Sequence, residues 1–198
     1  MADAIPLYAA EKPESPARRR IRRWSLPFEF LFACLAAFAG ALALTVSFFA
    51  LFSGAGAIWL SAENSWLVFA GDAPPREAVQ FNALPMATQL VAAAAYAMIA
   101  GSLVAAFICL AALFRCYRQG DVFGAAPQAW MQRAAFALIV FALSPGLLQP
   151  LLAALGSPDR NWFHTHSLAA LICGAALFVF ARVVALGREV EREAKDFI

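Results

Sequence analysis

Residues 30–50 read FLFACLAAFAGALALTVSFFA, without one charged side chain. A helix needs about 20 apolar residues to cross some 30 Å of hydrocarbon. A surface helix of a soluble domain alternates apolar and polar faces, and this stretch has no polar face. Three more such runs follow, so the apolar segments lie at about 30–60, 84–114, 134–155 and 167–186. Hydrophobic residues make up 63% of the 198-residue chain and charged residues 14%. Soluble domains are nearer one half and one quarter. The expected fold is an all-α membrane protein: four transmembrane helices over residues 27–186, after a disordered basic tail at 1–26 and before an amphipathic helix at 187–198 that continues span four.

The charges orient these spans. Lys12, Arg18, Arg19, Arg20, Arg22 and Arg23 precede the first run, and Arg115, Arg118 and Arg133 lie between the second and third. Arg182, Arg188, Arg192 and Lys195 end the fourth, leaving Arg76 and Arg160 for the other two connections. A Lys/Arg excess marks cytoplasmic segments. Both termini are therefore expected in the cytoplasm, in a multi-pass protein. The net charge of +2 is too small to attract nucleic acid by its field. Ala55-Gly56-Ala57 resembles a signal-peptide cleavage site, but the apolar run before it exceeds the usual 7–15 residues, so an uncleaved anchor is expected. The same length counts against a twin-arginine signal at Arg22-Arg23.

Within the spans the pattern is one of packing. Pro27 suits the first turn of helix one, and Glu29 follows as an interfacial carboxylate favoured by the helix dipole and nearby arginines. The alternative for Glu29 is an ion-coupling group facing the bundle. A 30-residue apolar stretch is about 45 Å of helix, so span one must tilt, project outward or break near Gly54-Ala55-Gly56. Ala36 and Gly40, Ala97, Gly101 and Ala105, and Ala170 and Gly174 place small residues four apart, as close helix contacts in lipid require. Span two begins after Pro85 and runs to about Gln119, where Gly120 supplies a stop. Pro127 suits the first turn of the next helix. Pro145 within span three frees a backbone carbonyl and bends the helix.

Outside the spans, the first outer loop carries Glu63, Asp72 and Glu77 against Arg76, with Trp59 and Trp66 as an interfacial belt. Residues 66–70 fit a short re-entrant or interfacial piece. His164 and His166, with Asp159, offer a surface metal site as one reading and polar residues capping span four as the other. Cys34, Cys109, Cys116 and Cys173 form no Cys-x-x-Cys pair and read as small apolar packing residues. Beyond span four, Leu186, Val190, Ala194 and Phe197 recur at helical spacing, and Glu191–Lys195 and Arg192–Asp196 are i,i+4 ion pairs. That apolar stripe can fold back on the middle cytoplasmic segment, lie on the membrane or bind a partner helix.

Phe114-Arg115-Cys116-Tyr117-Arg118-Gln119-Gly120-Asp121-Val122-Phe123, with the Leu186–Glu193 stretch ending the chain after span four, resembles bacterial four-span inner-membrane proteins classified as domain of unknown function 2975. The resemblance covers residues 30–198. It implies four spans, a place in the bacterial inner membrane and no established enzymatic activity. It also implies a membrane partner for a small helix-turn-helix DNA-binding regulator.

No Ser/His/Asp set, paired intramembrane carboxylates or metal-ligand cluster is legible, so no enzyme, metal or cofactor is expected. The chain reads as a regulatory or scaffold module whose cytoplasmic face binds a protein partner. Arg115, Arg118, Phe123, Val190, Ala194 and Phe197 are the candidate contact residues. The alternative is a permease or carrier for a hydrophobic or small uncharged substrate, which needs no intramembrane charge.

Overall fold

In the computed structural model, residues 16–52, 58–61, 65–69, 79–154 and 165–196 are described. Four long helices carry the fold: α1 (Pro16–Phe52), α2 (Met86–Arg118), α3 (Ala125–Ala154) and α4 (Thr165–Asp196). Each is long and apolar enough to cross a membrane, and the chain is a multi-pass membrane protein. Sequence neighbours pack antiparallel, α1 on α2, α2 on α3 and α3 on α4. The helices thus form a row in which α2 and α3 are central and α1 and α4 flank them.

Two sequence expectations need correction at α1. The helix starts at Pro16, not Pro27, so residues 16–26 are helical and not part of a disordered tail; residues 1–15 lie outside the described residues. Pro16 takes the first helical position, where its missing N–H costs nothing. Pro27 sits inside the helix and leaves the Arg23 carbonyl without its i+4 donor. The helix also ends at Phe52, short of Leu60, in agreement with the break expected near Gly54-Ala55-Gly56. The last part of the apolar run becomes strand β1 (Ile58–Ser61), whose Ile-Trp-Leu sequence favours a strand.

β1 pairs antiparallel with β2 (Ser65–Phe69) and β3 (Val79–Gln80) in the order β2-β1-β3. Ile58 faces Phe69 and Trp59 faces Val68, and on the other side Trp59 faces Gln80. Residues 66–70 were expected as a re-entrant or interfacial piece, and 65–69 are the second strand. A single 3-10 turn, Phe81–Ala83, then leads into α2. Phe81 and Leu84 bury against Ala92 and Ala95 of α2 and Leu148 of α3, closing this end of the row. The start of α2 after Pro85 agrees with the sequence. Gln89 supports it by donating from Nε2 to the Leu84 carbonyl at 2.8 Å.

The other end of α2 closes as the sequence predicts. Gly120 takes φ +86°, a conformation most side chains resist. Its N–H donates to the Tyr117 carbonyl, and the Asp121 N–H donates to the Cys116 carbonyl. These two bonds satisfy carbonyls that the last helical turn leaves open. Pro127 lies in the first turn of α3, whose start at Ala125 precedes the expected span by more than two turns. Pro145 and Pro150 sit inside α3. The buried Ser144 hydroxyl donates to the Val140 carbonyl at 2.5 Å, one position from the carbonyl that Pro145 leaves open. Gly174 marks the closest approach in the row: a Cβ built there would lie 3.0 Å from Ile139 Cγ1 and 3.1 Å from the Ala135 carbonyl. Gly40 and Gly101 have open space at the same test, so the small-residue pattern identifies a tight contact on α4 and not on α1 or α2.

Candidate functional site

The start of α1, the end of α2, the α2–α3 turn, the start of α3 and the end of α4 gather at one end of the row. The antiparallel packing brings them together, and with them Arg19, Arg20, Arg22, Arg23, Arg115, Arg118, Arg133, Arg182 and Arg188. This arginine-rich end is the candidate site.

Its centre is Glu29. The Arg118 Nε lies 2.8 Å from Glu29 Oε2, and Arg118 Nη2 donates to Oε1 at 3.3 Å. Arg115 Nε donates to Oε1 at 3.1 Å. The carboxylate is only 14% exposed, against 65% for Arg115 and 41% for Arg118. The Nε–Oε2 approach is an ion pair off the N–H direction, since neither atom completes a hydrogen bond. A forked guanidinium on two carboxylate oxygens fixes orientation as well as charge. The partners that Glu29 meets are Arg115 and Arg118 of α2.

An aromatic ladder backs the cluster. Phe28 stacks on Phe114 with centroids 5.2 Å apart, Phe32 on Phe114 at 5.6 Å and on Phe107 at 6.3 Å, and the Tyr117 edge meets Phe114 at 5.9 Å. Offset pairs of this kind contribute about 0.5–1.5 kcal/mol each beyond area burial. The i,i+4 pair on α1 and the i,i+7 pair on α2 were present as sequence spacings. Nothing local said that they faced each other.

The α3 and α4 sides are joined differently. Leu113 of α2, Met131 of α3 and Ala181 of α4 form one buried cluster, flanked by Trp130 and Leu177. Arg133 lies over the Trp130 ring at 4.6 Å and Arg182 over Phe178 at 5.3 Å. Arg188 Nη1 donates to Gln128 Oε1 at 3.3 Å, which ties the α4 extension to the first turns of α3. Gly124 packs so closely under the Asp121 carboxylate that a Cβ there would overlap it.

The expected contact residues separate. Arg115 and Arg118 are engaged with Glu29. Phe123 in the α2–α3 turn and Val190 on α4 are exposed, at 61% and 58%. Ala194 falls within α4 with its side chain outside the description, and Phe197 lies outside the described residues. The amphipathic segment continues span four as one unbroken helix to Asp196. Of its stripe, Leu186 and Val190 are exposed among the described residues. His164 and Asp159 lie outside the described residues, and the His166 ring lies 6.0 Å from Phe141. Among the described residues, no three His, Cys, Asp or Glu side chains converge as a metal site.

Cavities flank the cluster. One of about 830 Å³ is lined by Arg19, Arg22, Arg23 and Leu26 of α1 with Arg118 and Gln119 of α2. A neighbour of about 580 Å³ shares Arg19 and Arg23 and adds Arg20, Trp24 and Pro27. Between α2 and α3 lies a groove of about 530 Å³, with Cys109, Gln132, Arg133 and Phe136 among its walls. No family profile, curated protein or solved structure matches the chain.

Proposed function

We propose that this chain is a membrane-embedded scaffold or regulatory protein whose arginine-rich end lies in the cytoplasm of a bacterial cell and holds a protein partner there. The observation that carries this reading is the α4 extension: a helix that runs unbroken to Asp196, with Leu186 and Val190 exposed where the span gives way to it. Apolar side chains at i and i+4 are what an amphipathic partner helix or a hydrophobic groove recognises. Phe123, exposed on the adjoining turn, extends the same surface. The Arg188–Gln128 hydrogen bond sets the direction in which the extension leaves the row. The resemblance of residues 114–123 to the family of unknown function points to a small DNA-binding regulator as the partner class.

The test is in-membrane photo-crosslinking from positions 123 and 190. A partner adduct of defined mass is expected from both, and the adduct from position 123 is expected to be lost when Val190→Asp is introduced and on truncation after residue 187. An identical adduct set from the full and truncated chains overturns the assignment. The carrier reading has one observation in its favour, the groove between α2 and α3. A hydrophobic solute protecting Cys109 from alkylation would support it.

A further inference from the structure

We infer that the groove between α2 and α3 is a binding site for an anionic phospholipid, with the phosphate on Arg133 and the first part of one acyl chain along the groove. This goes beyond the partner-binding reading and does not depend on it. The occupant is a resident lipid, not a transported solute.

The groove exists because the sequence puts small side chains on two facing surfaces. Ala129, Arg133 and Ala137 stand at i, i+4 and i+8 on α3, and Ala105 and Cys109 at i and i+4 on α2. Residues at these spacings share one helix face. Cys109 and Ala137 are buried and form the floor. Arg133 and Phe136 are exposed at the rim, so the groove opens to the surroundings of the row.

Arg133 is the one charged side chain among the described lining residues. Its Cα stands more than two turns inside α3, on the apolar side of the Met131 cluster. Helical side chains lean toward the helix N-terminus, and a long basic side chain in a span extends toward the headgroups. Here both tendencies act in the same direction. The guanidinium accordingly lies over Trp130, three residues nearer the start of α3, at 4.6 Å. Trp130 packs with Leu113 and Tyr117 of α2, so the charge stands close to the level of Arg115 and Arg118. Trp and Tyr at that level suit the membrane interface. From Trp130 to Ala137 the groove reaches about 10 Å deeper into the apolar layer.

The two parts of the groove ask for different chemistry. The indole covers one face of the guanidinium and leaves its N–H edges as donors, and that planar fork matches phosphate oxygens two at a time. Glu29 engages Arg115 and Arg118, whereas no carboxylate lines this groove. Gln132 adds an amide at the same mouth. Deeper in, Ala105, Cys109, Phe136 and Ala137 offer apolar surface alone. A soluble phosphate leaves that surface uncovered, and a neutral solute leaves the guanidinium without a counter-ion. A phosphate joined to an acyl chain satisfies both.

The test uses the purified full chain, with bound lipid counted by native mass spectrometry. Equimolar dioleoyl-phosphatidylglycerol and dioleoyl-phosphatidylcholine are offered in mixed micelles. Retention of the phosphatidylglycerol is expected to exceed that of the phosphatidylcholine by about fivefold or more. Arg133→Gln removes the charge, and Ala105→Phe fills the groove from an exposed position with every arginine kept. Both are expected to bring the ratio below about twofold. Arg20→Gln, which removes one charge from the same end outside the groove, is expected to leave the ratio unchanged. If Arg133→Gln does not fold, Ala105→Phe alone decides. Equal retention of the two lipids, an unchanged ratio in Ala105→Phe, or an equal fall in Arg20→Gln and Arg133→Gln overturns the site. Displacement of the lipid by millimolar glycerol 1-phosphate overturns the assignment to a lipid in favour of a soluble phosphate.

Discussion

Glu29 is where a single side chain decides most. It takes two arginines from another helix onto one nearly buried carboxylate. Removing its charge leaves Arg118, which is itself more than half buried, without a counter-ion. Exposed pairs contribute about 0–1 kcal/mol and buried ones several when one partner is lost. Glu29→Gln is therefore expected to destabilise by about 1–2 kcal/mol, read as a lowered unfolding temperature in detergent. Restoring the temperature by adding Arg118→Met would confirm that the penalty is the unpaired guanidinium, and no change in Glu29→Gln would show the cluster to be inert. Gly120 is the second position of this kind. Its φ of +86° predicts a loss of about 1–2 kcal/mol for Gly120→Ala, with Gly120→Asn nearer wild type in the same assay. These two residues differ in how far sequence reveals them. The Gly120 requirement is local, set by where a helix must stop, and it is legible from Arg118-Gln119-Gly120 alone. The partners of Glu29 lie 86 and 89 positions away. Sequence alone therefore showed Arg115 and Arg118 only as free basic residues at a helix end, candidates for binding something else.

Helices in lipid obey hydropathy first and caps second, which explains which boundaries were legible. All four helices follow from the apolar runs, and α4 runs through its charged extension because no glycine-plus-proline signal interrupts it. The start of α1 was misplaced because two prolines compete for the same role. Pro27 stands at the edge of the apolar run, whereas Pro16 is followed by Ala17 and arginines, which are good helix formers. The end of α1 at Phe52 agrees with the break expected near Gly54-Ala55-Gly56, but a hydrophobic window does not distinguish helix from strand in Ile58-Trp59-Leu60. The packing between elements turns on Gly174. A side chain there must push Ile139, and it meets the Ala135 carbonyl, which is backbone and cannot move aside. Gly174→Val is expected to destabilise by about 2 kcal/mol or more through overpacking and to loosen α4 from α3. Gly101→Ala, at a position with open space, is expected to be neutral or to stabilise by up to about 1 kcal/mol through helix propensity. A cysteine pair at 135 and 174 that crosslinks as readily as one at 32 and 107 would argue against a uniquely close α3–α4 contact.

At the scale of the whole molecule the helices form a row with unequal exposure. Only 6% of the most apolar window of α1 and 11% of that of α4 are buried, against 39% for α3. With the apolar flanks of α1 and α4 facing lipid, the specific surfaces of the molecule are at its ends. The two ends differ in kind. One carries a three-stranded sheet and the buried Phe81 cluster, and the other carries the arginines, the Glu29 cluster and the α4 extension. Antiparallel packing alone requires the start of α1, the α2–α3 turn and the end of α4 to share one side of the membrane. The lysine and arginine bias supports the proposal that this side is the cytoplasm. The first statement rests on contacts such as Glu29–Arg115 and Gln128–Arg188, the second on charge, and a single experiment tests both. In a background with the four native cysteines replaced, single cysteines at 72, 122, 159 and 193 are exposed to an impermeant thiol reagent on intact cells. Positions 72 and 159 are expected to react, and 122 and 193 only after the membrane is opened. Reaction at 122 but not at 193 would break the shared end and with it the four-span row. Reaction at both, with none at 72 and 159, would keep the row and invert its orientation. The arginine-rich end would then face outward, where no cytoplasmic partner could reach the α4 extension.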